Sequence, residues 1–209
     1  MPALTLYGIP LSGHSHRVEL FLHLLRLDYE YIEAQKDFRD SPAYRALNPL
    51  GQIPVLKDGD LVLADSNAIL VYLAKRYDAG DSWLPQDPVA AARVQRWLSI
   101  AAGEIMHGPA AARVMTLFGA ASEPARTAAM ALAGRVLTFM EAHLKDRSWL
   151  AAEAPTLADV ACYTYVAHAP EGGVTLSPYP ALRAWLARVE ALPRFKGLVA
   201  SRPGDRLTP

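Results

Sequence analysis

Residues 45–59 read RALNPLGQIPVLKDG, and how Pro54 is accommodated decides the fold. The segment VLKDGDLVL at 55–63 has the pattern of two short strands folded about Asp58 and Gly59, so a hairpin is expected there. Proline brings no main-chain N–H and interrupts strand pairing, which confines it to the start or the edge of a strand. Pro54 therefore marks a strand entry, and the turn before it is expected to present main chain to a ligand. A cis Ile53–Pro54 bond would turn the chain sharply and leave the N–H and C=O of Ile53 as an open edge. Such an edge can pair with an extended peptide. Trans is the default for an X–Pro bond, and the residues alone leave it so.

Outward from this hairpin the pattern is regular. Residues 3–7 form a short apolar segment ending at Gly8 and Pro10, a strand, and HSHRVELFLHLLRL puts Val18, Phe21, Leu22 and Leu25 at helical spacing. YEYI reads as a second strand, SPAYRAL as a short helix and DSNAILVYLAKRY as a longer one. The order βαββα-type elements take here is βαβαββα, an α/β domain over residues 1–78. The turn-rich DAGDSWLPQDP follows, giving a linker at 79–88. Residues 89–209 read as all-helical, with segments near 89–118, 123–145, 157–168, 180–191 and 194–200. Leu182, Trp185, Leu186 and Val189 mark one apolar stripe. Gly108 and Pro109 are expected to kink or end the first of these helices. The final SRPGDRLTP is too rich in breakers to be helical and is expected to be loosely held.

The 209 residues contain 21 Lys plus Arg and 21 Asp plus Glu, so no basic excess points to nucleic acid or an anionic membrane. With 52% apolar residues the chain can bury a core unaided. The single cysteine, Cys162, excludes an internal disulfide framework and a cysteine zinc site, and fits a reducing compartment. No leader pattern and no membrane-length apolar run is present, so a cytoplasmic location is expected.

Three short stretches carry candidate chemistry. In ADSNAILVYL, Asp65 or Ser66 is a helix N-cap residue. The free N–H groups there can also hold a carboxylate while Asp65 takes an ammonium, which would suit a ligand with both groups on one carbon. In YGIPLSGHSHRVEL, Ser12 lies at the end of the first strand and just before a helix, where its hydroxyl can donate to an anion; Ser15 competes for the cap. His14 and His16 diverge on a helix and have no third ligand, so no metal is expected. In APTLADVACYTYV, Thr156 and Asp159 are close to a capping box, with Pro155 and Val160 as its staple. That is a folding signal, and Cys162 in the same helix reads as a small buried hydrophobe.

Taken together, YGIPLSGHSHRV, LNPLGQIPVL, DSNAILVYLAKRY and PTLADVACY resemble the soluble glutathione transferases, nearly end to end and in order. The resemblance, closest to the serine-type bacterial subgroup, implies a thioredoxin-like N-terminal domain, an all-helical C-terminal domain and a cis Pro54 bond. It implies that Ile53 pairs its main chain with the cysteinyl part of glutathione, with Gln52 beside it, and that Asp65 and Ser66 hold the γ-glutamyl end. Arg39, or failing it Lys36, would meet the glycyl carboxylate. Ser12 would stabilise the thiolate, whereas Tyr7 sits too early for a tyrosine-type enzyme. The implied reaction adds glutathione, as co-substrate, to a small hydrophobic electrophile, a detoxification chemistry run by a homodimer. Leu11, Trp97, Ala101, Ile105 and His107 are expected to line the electrophile site in a cleft between the domains, the last four on one helical face; core packing is the competing reading for them. Two departures stand out, Asp65 in place of a glutamate and AAE at 151–153 without the usual glycine.

A non-enzymatic adaptor of the same fold, similar to the stringent-starvation type that binds transcription machinery, is the competing function. A stand-alone thioredoxin-like redox protein fails for want of a CxxC pair.

Overall fold

The computed structural model describes residues 4–119 and 122–201; most of the SRPGDRLTP tail lies outside them. The chain divides into two compact units, one running through Asp81 and taking in Pro193–Val199, the other formed by Ser82–Leu192 and rejoined at Ala200.

The first unit is built on β1 (Leu4–Gly8), α1 (Gly13–Leu24), β2 (Tyr29–Glu33), α2 (Lys36–Asp40), α3 (Pro42–Leu47), β3 (Val55–Asp58), β4 (Leu61–Ala64) and α4 (Ser66–Tyr77). The sheet order is β2-β1-β3-β4. β1 and β2 run parallel, which requires the helical crossover α1, while β3 lies antiparallel to both β1 and β4. This is the thioredoxin-like arrangement, with α2 as one short helix beyond those the sequence pattern showed. β1 buries Leu4, Leu6 and Gly8 in strict alternation, and α1 packs on α4. The hydroxyls of Tyr72 and Tyr77 on α4 both donate to Asp58, tying the helix to the hairpin.

The ladder explains how Pro54 is tolerated. Pairing between β1 and β3 starts at Tyr7↔Val55, one residue after the proline, so the missing N–H costs no strand hydrogen bond. The Ile53–Pro54 peptide is cis. Ahead of it, Tyr44 Oη and Asn48 Nδ2 each donate to the Gln52 carbonyl at 2.9 Å. Gly51 takes φ +64°, and a Cβ there would come within 2.6 Å of the Arg45 guanidinium carbon. The positive φ is what favours glycine here, since the exposed Arg45 side chain can move aside from a Cβ.

The second unit is helical, comprising α5 (Pro88–Ile100), a π-helical stretch (Ala101–Ala110), α6 (Ala111–Phe118), α7 (Glu123–Leu144), α8 (Leu157–Ala167), a 3₁₀ turn (Ala169–Gly172) and α9 (Pro180–Glu190). Every residue of α8 from Leu157 to Val166 is buried, as expected of a helix apolar on all sides. Its N-terminus carries the capping box formed by Thr156 and Asp159. Cys162 is buried in the same helix, its thiol 3.7 Å from the Trp97 carbonyl.

Two expectations need correction, the first only in its alternative of a helix end. Pro109 does not end its helix; the winding loosens to π over ten residues and continues into α6. A wider turn makes room for a residue that lacks the N–H and crowds the preceding turn. Gly108 serves packing, since a Cβ there would sit 2.9 Å from the Ala133 main-chain nitrogen on α7. Residues 194–200 are not helical and belong largely to the first unit. There the Lys196 carbonyl lies 2.7 Å from His16 Nε2, and Lys196 Nζ donates to Glu19 at 2.9 Å.

Candidate functional site

Strand register gathers the candidate residues. Val55 pairs with Tyr7 on one side and Ala64 on the other, so this row is the last at one end of the sheet. Beyond it the chain leads from β1 toward Ser12, from β3 back to Ile53, and from β4 into Asp65 and Ser66. The Ala34 N–H donates to the Gly8 carbonyl at 2.8 Å, so α2 with Arg39 departs from the same end. Ile53 packs on a small core of Ala34, Tyr44 and Val55, together with Tyr7 and Phe38. Tyr7 is committed to that core, its ring 6.2 Å from Tyr44 and 6.3 Å from Phe38. Among the described residues no partner takes the main-chain N–H or C=O of Ile53.

Two helix beginnings face this edge. Ser12 is the N-cap of α1, its Oγ accepting the Ser15 N–H at 3.2 Å. Ser15 is buried and its hydroxyl accepts the Ile9 N–H at 3.3 Å, so it is spent on the turn. Asp65 is the N-cap of α4, with Oδ1 accepting the Ala68 N–H at 2.9 Å. Its side chain is exposed, and its backbone sits at φ +73°, ψ +121°, a region that a residue with a Cβ rarely adopts.

Sequence reasoning missed what joins the two helices. Arg17, buried in α1, donates through Nη1 to Ser66 Oγ and Asn67 Oδ1, both at 3.0 Å. His14 Nδ1 lies 3.2 Å from the same Ser66 Oγ. Burial, with the Arg17 charge adding to it, lowers the His14 pKa to about 3. A neutral ring accepts the Ser66 proton at Nδ1 while Ser66 Oγ accepts from Arg17. The signal was present in SGHSHRV, where His14 and Arg17 stand three apart and share a helix face.

Residues 6–82 match the family model described as glutathione S-transferase, N-terminal domain, and residues 100–193 match its C-terminal counterpart. The chain belongs to the glutathione S-transferase family of enzymes. Glutathione S-transferase 3 of Zea mays is 33% identical over 97% of this chain and 96% of its own. Among solved structures, a glutathione S-transferase from Pseudomonas fluorescens superposes with TM-score 0.86 at 33% identity, covering 94% of this chain and 99% of its own. A theta class transferase from Xanthomonas axonopodis pv. citri, solved with glutathione bound, gives TM-score 0.86 at 28% identity over 96% and 99%. The α/β and helical units are thus the two halves of the glutathione S-transferase fold.

The structure brings Ser12, Gln52, Ile53, Asp65 and Ser66 to one end of the sheet, with Leu11 half-buried beside Ser12. Arg39 is half-buried on α2 while Lys36 is exposed. The single face expected for Trp97, Ala101, Ile105 and His107 does not form. Trp97, Ala101 and Ile105 are buried, whereas His107 is exposed, because two residues of helical winding from Ile105 turn a side chain far round the axis. Trp97 meets the rings of His143 at 5.0 Å and Phe139 at 5.5 Å within its own unit, so core packing is its role here.

Proposed function

We propose that this transferase binds glutathione along the Ile53 edge and holds its sulfur as thiolate through Ser12, for attack on a small apolar electrophile. The cysteinyl main chain pairs with Ile53, with Gln52 alongside. The γ-glutamyl ammonium meets the exposed Asp65 carboxylate. The α-carboxylate meets the Ser66 main-chain N–H at the start of α4, since the Ser66 hydroxyl is engaged by His14 and Arg17. Arg39 takes the glycyl carboxylate in preference to Lys36. Its Nε is buried without a hydrogen-bond partner among the described residues, so a bound anion satisfies it. Leu11 offers apolar surface next to the sulfur.

One observation carries the serine assignment. Ser12 Oγ is used as an acceptor by the Ser15 N–H, which leaves its own proton to give, whereas Ser15 is buried, accepts the Ile9 N–H and is hydrogen-bonded to the Tyr31 hydroxyl. A free thiol titrates near 8.5, so only about 3% is thiolate at neutral pH. Lowering that value by about two units requires roughly 2.7 kcal/mol. A hydrogen bond to a charged sulfur contributes about 1.5–3 kcal/mol, and the α1 N-terminus about 0.3–1 kcal/mol more. Serine plus helix end is enough.

The enzyme is further proposed to act in the cytoplasm as a homodimer in detoxification. Exposed Leu50 and an apolar groove on the helical unit around Ile100, Leu132, Val136 and Phe139 offer surface that a second copy can cover. The adaptor reading has less support, since the relatives above are named transferases and the site residues are assembled. Titrating the ultraviolet thiolate band of bound glutathione tests the proposal. Ser12→Ala is expected to raise the midpoint by about one to two units; an unshifted midpoint with glutathione still bound rejects the role.

A further inference from the structure

The helical unit contains a second cavity, of about 440 Å³, lined by Arg93, Arg96 and Trp97 of α5, His143 of α7, Arg147 just beyond it, and the loop at 150–153 that carries Glu153. We infer that this cavity is a binding site for a small molecule bearing two or more negative charges, as a phosphate ester or polycarboxylate does. Three arginines and one glutamate are among the residues that line it, leaving two positive charges in excess. Two arginines elsewhere are paired with acids, Arg113 with Glu171 at 2.7 Å and Arg45 with Asp40 at 3.0 Å. Among the described residues no carboxylate comes within ion-pair distance of Arg93, Arg96 or Arg147.

The neighbouring contacts hold these groups and leave their donors in place. Arg147 Nη1 donates to the His143 carbonyl at 3.1 Å, which fixes one edge of the fork at the end of α7. Arg96 lies over the Phe139 ring at 5.4 Å, an interaction that holds the cation without supplying it a carboxylate. His143 Nε2 sits 2.8 Å from the Leu150 carbonyl, so Nε2 carries the proton, and both residues line the pocket. The His143 pKa is lowered, first by burial and further by Arg147 and Arg96, against the Leu150 bond; the histidine feels the positive field of the same arginines. A neutral histidine adds no charge of its own. The planar fork of arginine matches two oxygens of one phosphate or carboxylate, and a cluster of such forks selects multiple charge over single. The volume fits a small ligand. The residues that line the cavity all belong to the helical unit.

Isothermal titration of the whole protein with pyrophosphate and with citrate at low salt tests the assignment. Saturable binding is expected for at least one probe; pyrophosphate alone indicates a phosphate ester, citrate alone a polycarboxylate. The double variant Arg93→Gln/Arg147→Gln is expected to bind about tenfold or more weakly. Glu153→Gln, which removes the one opposing charge, is expected to bind about threefold more tightly. Glutathione affinity and melting temperature serve as fold controls and should not move. Equal probe binding by the double variant, or no heat from either probe at about 10 mM, overturns the inference.

Discussion

Two helix beginnings use the same chemistry to different ends. At α8, Asp159 is fully buried and both its oxygens are occupied: Oδ1 accepts from Leu150 N and Trp185 Nε1, Oδ2 from Thr156 N and Thr156 Oγ1. At α4, Asp65 is exposed, gives one oxygen to Ala68 N, and stands in a strained backbone region. The residue type is the same and both side chains cap a helix start, Asp65 from the N-cap and Asp159 from the third helical position. Spare hydrogen-bonding capacity and access separate this folding device from the binding role proposed for Asp65, and strain persists only where the surrounding structure over-determines it.

The largest effect should follow from emptying the buried box. Asp159→Ala leaves the Leu150 and Thr156 N–H groups and the Trp185 indole N–H without acceptors inside the helical unit. At about 1–3 kcal/mol each, the loss should reach about 4 kcal/mol, a melting decrease of about 8–16 °C for a chain of this size. Asp159→Asn should fall between. A variant melting within about 2 °C of wild type would show that α8 does not depend on this cap.

The two regions should also differ in the sign of their pH response. His14, against Ser66, is held neutral, with its pKa lowered from 6.5 to about 3. The unfolded chain binds a proton below 6.5 that the folded site refuses until about 3, so stability falls with pH across that window. Between about pH 7 and 5 the loss is about 2 kcal/mol. Burial raises the Asp159 carboxyl against its four donors, so its contribution is fully present below the unfolded carboxyl value and is lost as pH rises. Acid therefore loosens the α1–α4 junction and not the α8 cap. Thermal melts of wild type and His14→Gln from about pH 7 to 5 check this; the variant should lose most of the acid sensitivity, and parallel curves would rule out His14 as its source.

Much of this was legible in the sequence, for definable reasons. The alternation of β1, the Asp58–Gly59 turn and the Thr156–Asp159 spacing are local signals that tertiary structure had no cause to override. Pro54 was legible as a strand entry, but its cis bond came only through family resemblance, because residue physics favours trans. The role of Ser66 was half read: its position at a helix start was visible, while its bonds to His14 and Arg17 depend on how α1 packs on α4. Trp97, Ala101 and Ile105 share an i, i+4 spacing that fits a cleft and a core equally well, and only burial separates the two. The π winding at 101–110 has no signature beyond Pro109, which more often ends a helix.

The smallest effect sharpens the contrast most, because stability should hardly move while binding weakens. Asp65→Gly removes the Cβ that makes φ +73° costly, a relief of about 1 kcal/mol or somewhat more. Loss of the cap to Ala68 N subtracts only a few tenths when glycine is the replacement. Greater backbone freedom in the unfolded chain takes back about 0.5–1 kcal/mol. The net change should lie within about 0.5 kcal/mol of zero, while glutathione affinity falls about fivefold to tenfold with the loss of the carboxylate. At α8 no such exchange is available, since removing Asp159 gives back no strain. If Asp65→Gly instead destabilises the first unit by more than about 1 kcal/mol and binds glutathione as wild type does, then Asp65 is a cap like Asp159, and the strained backbone has no connection with the ligand.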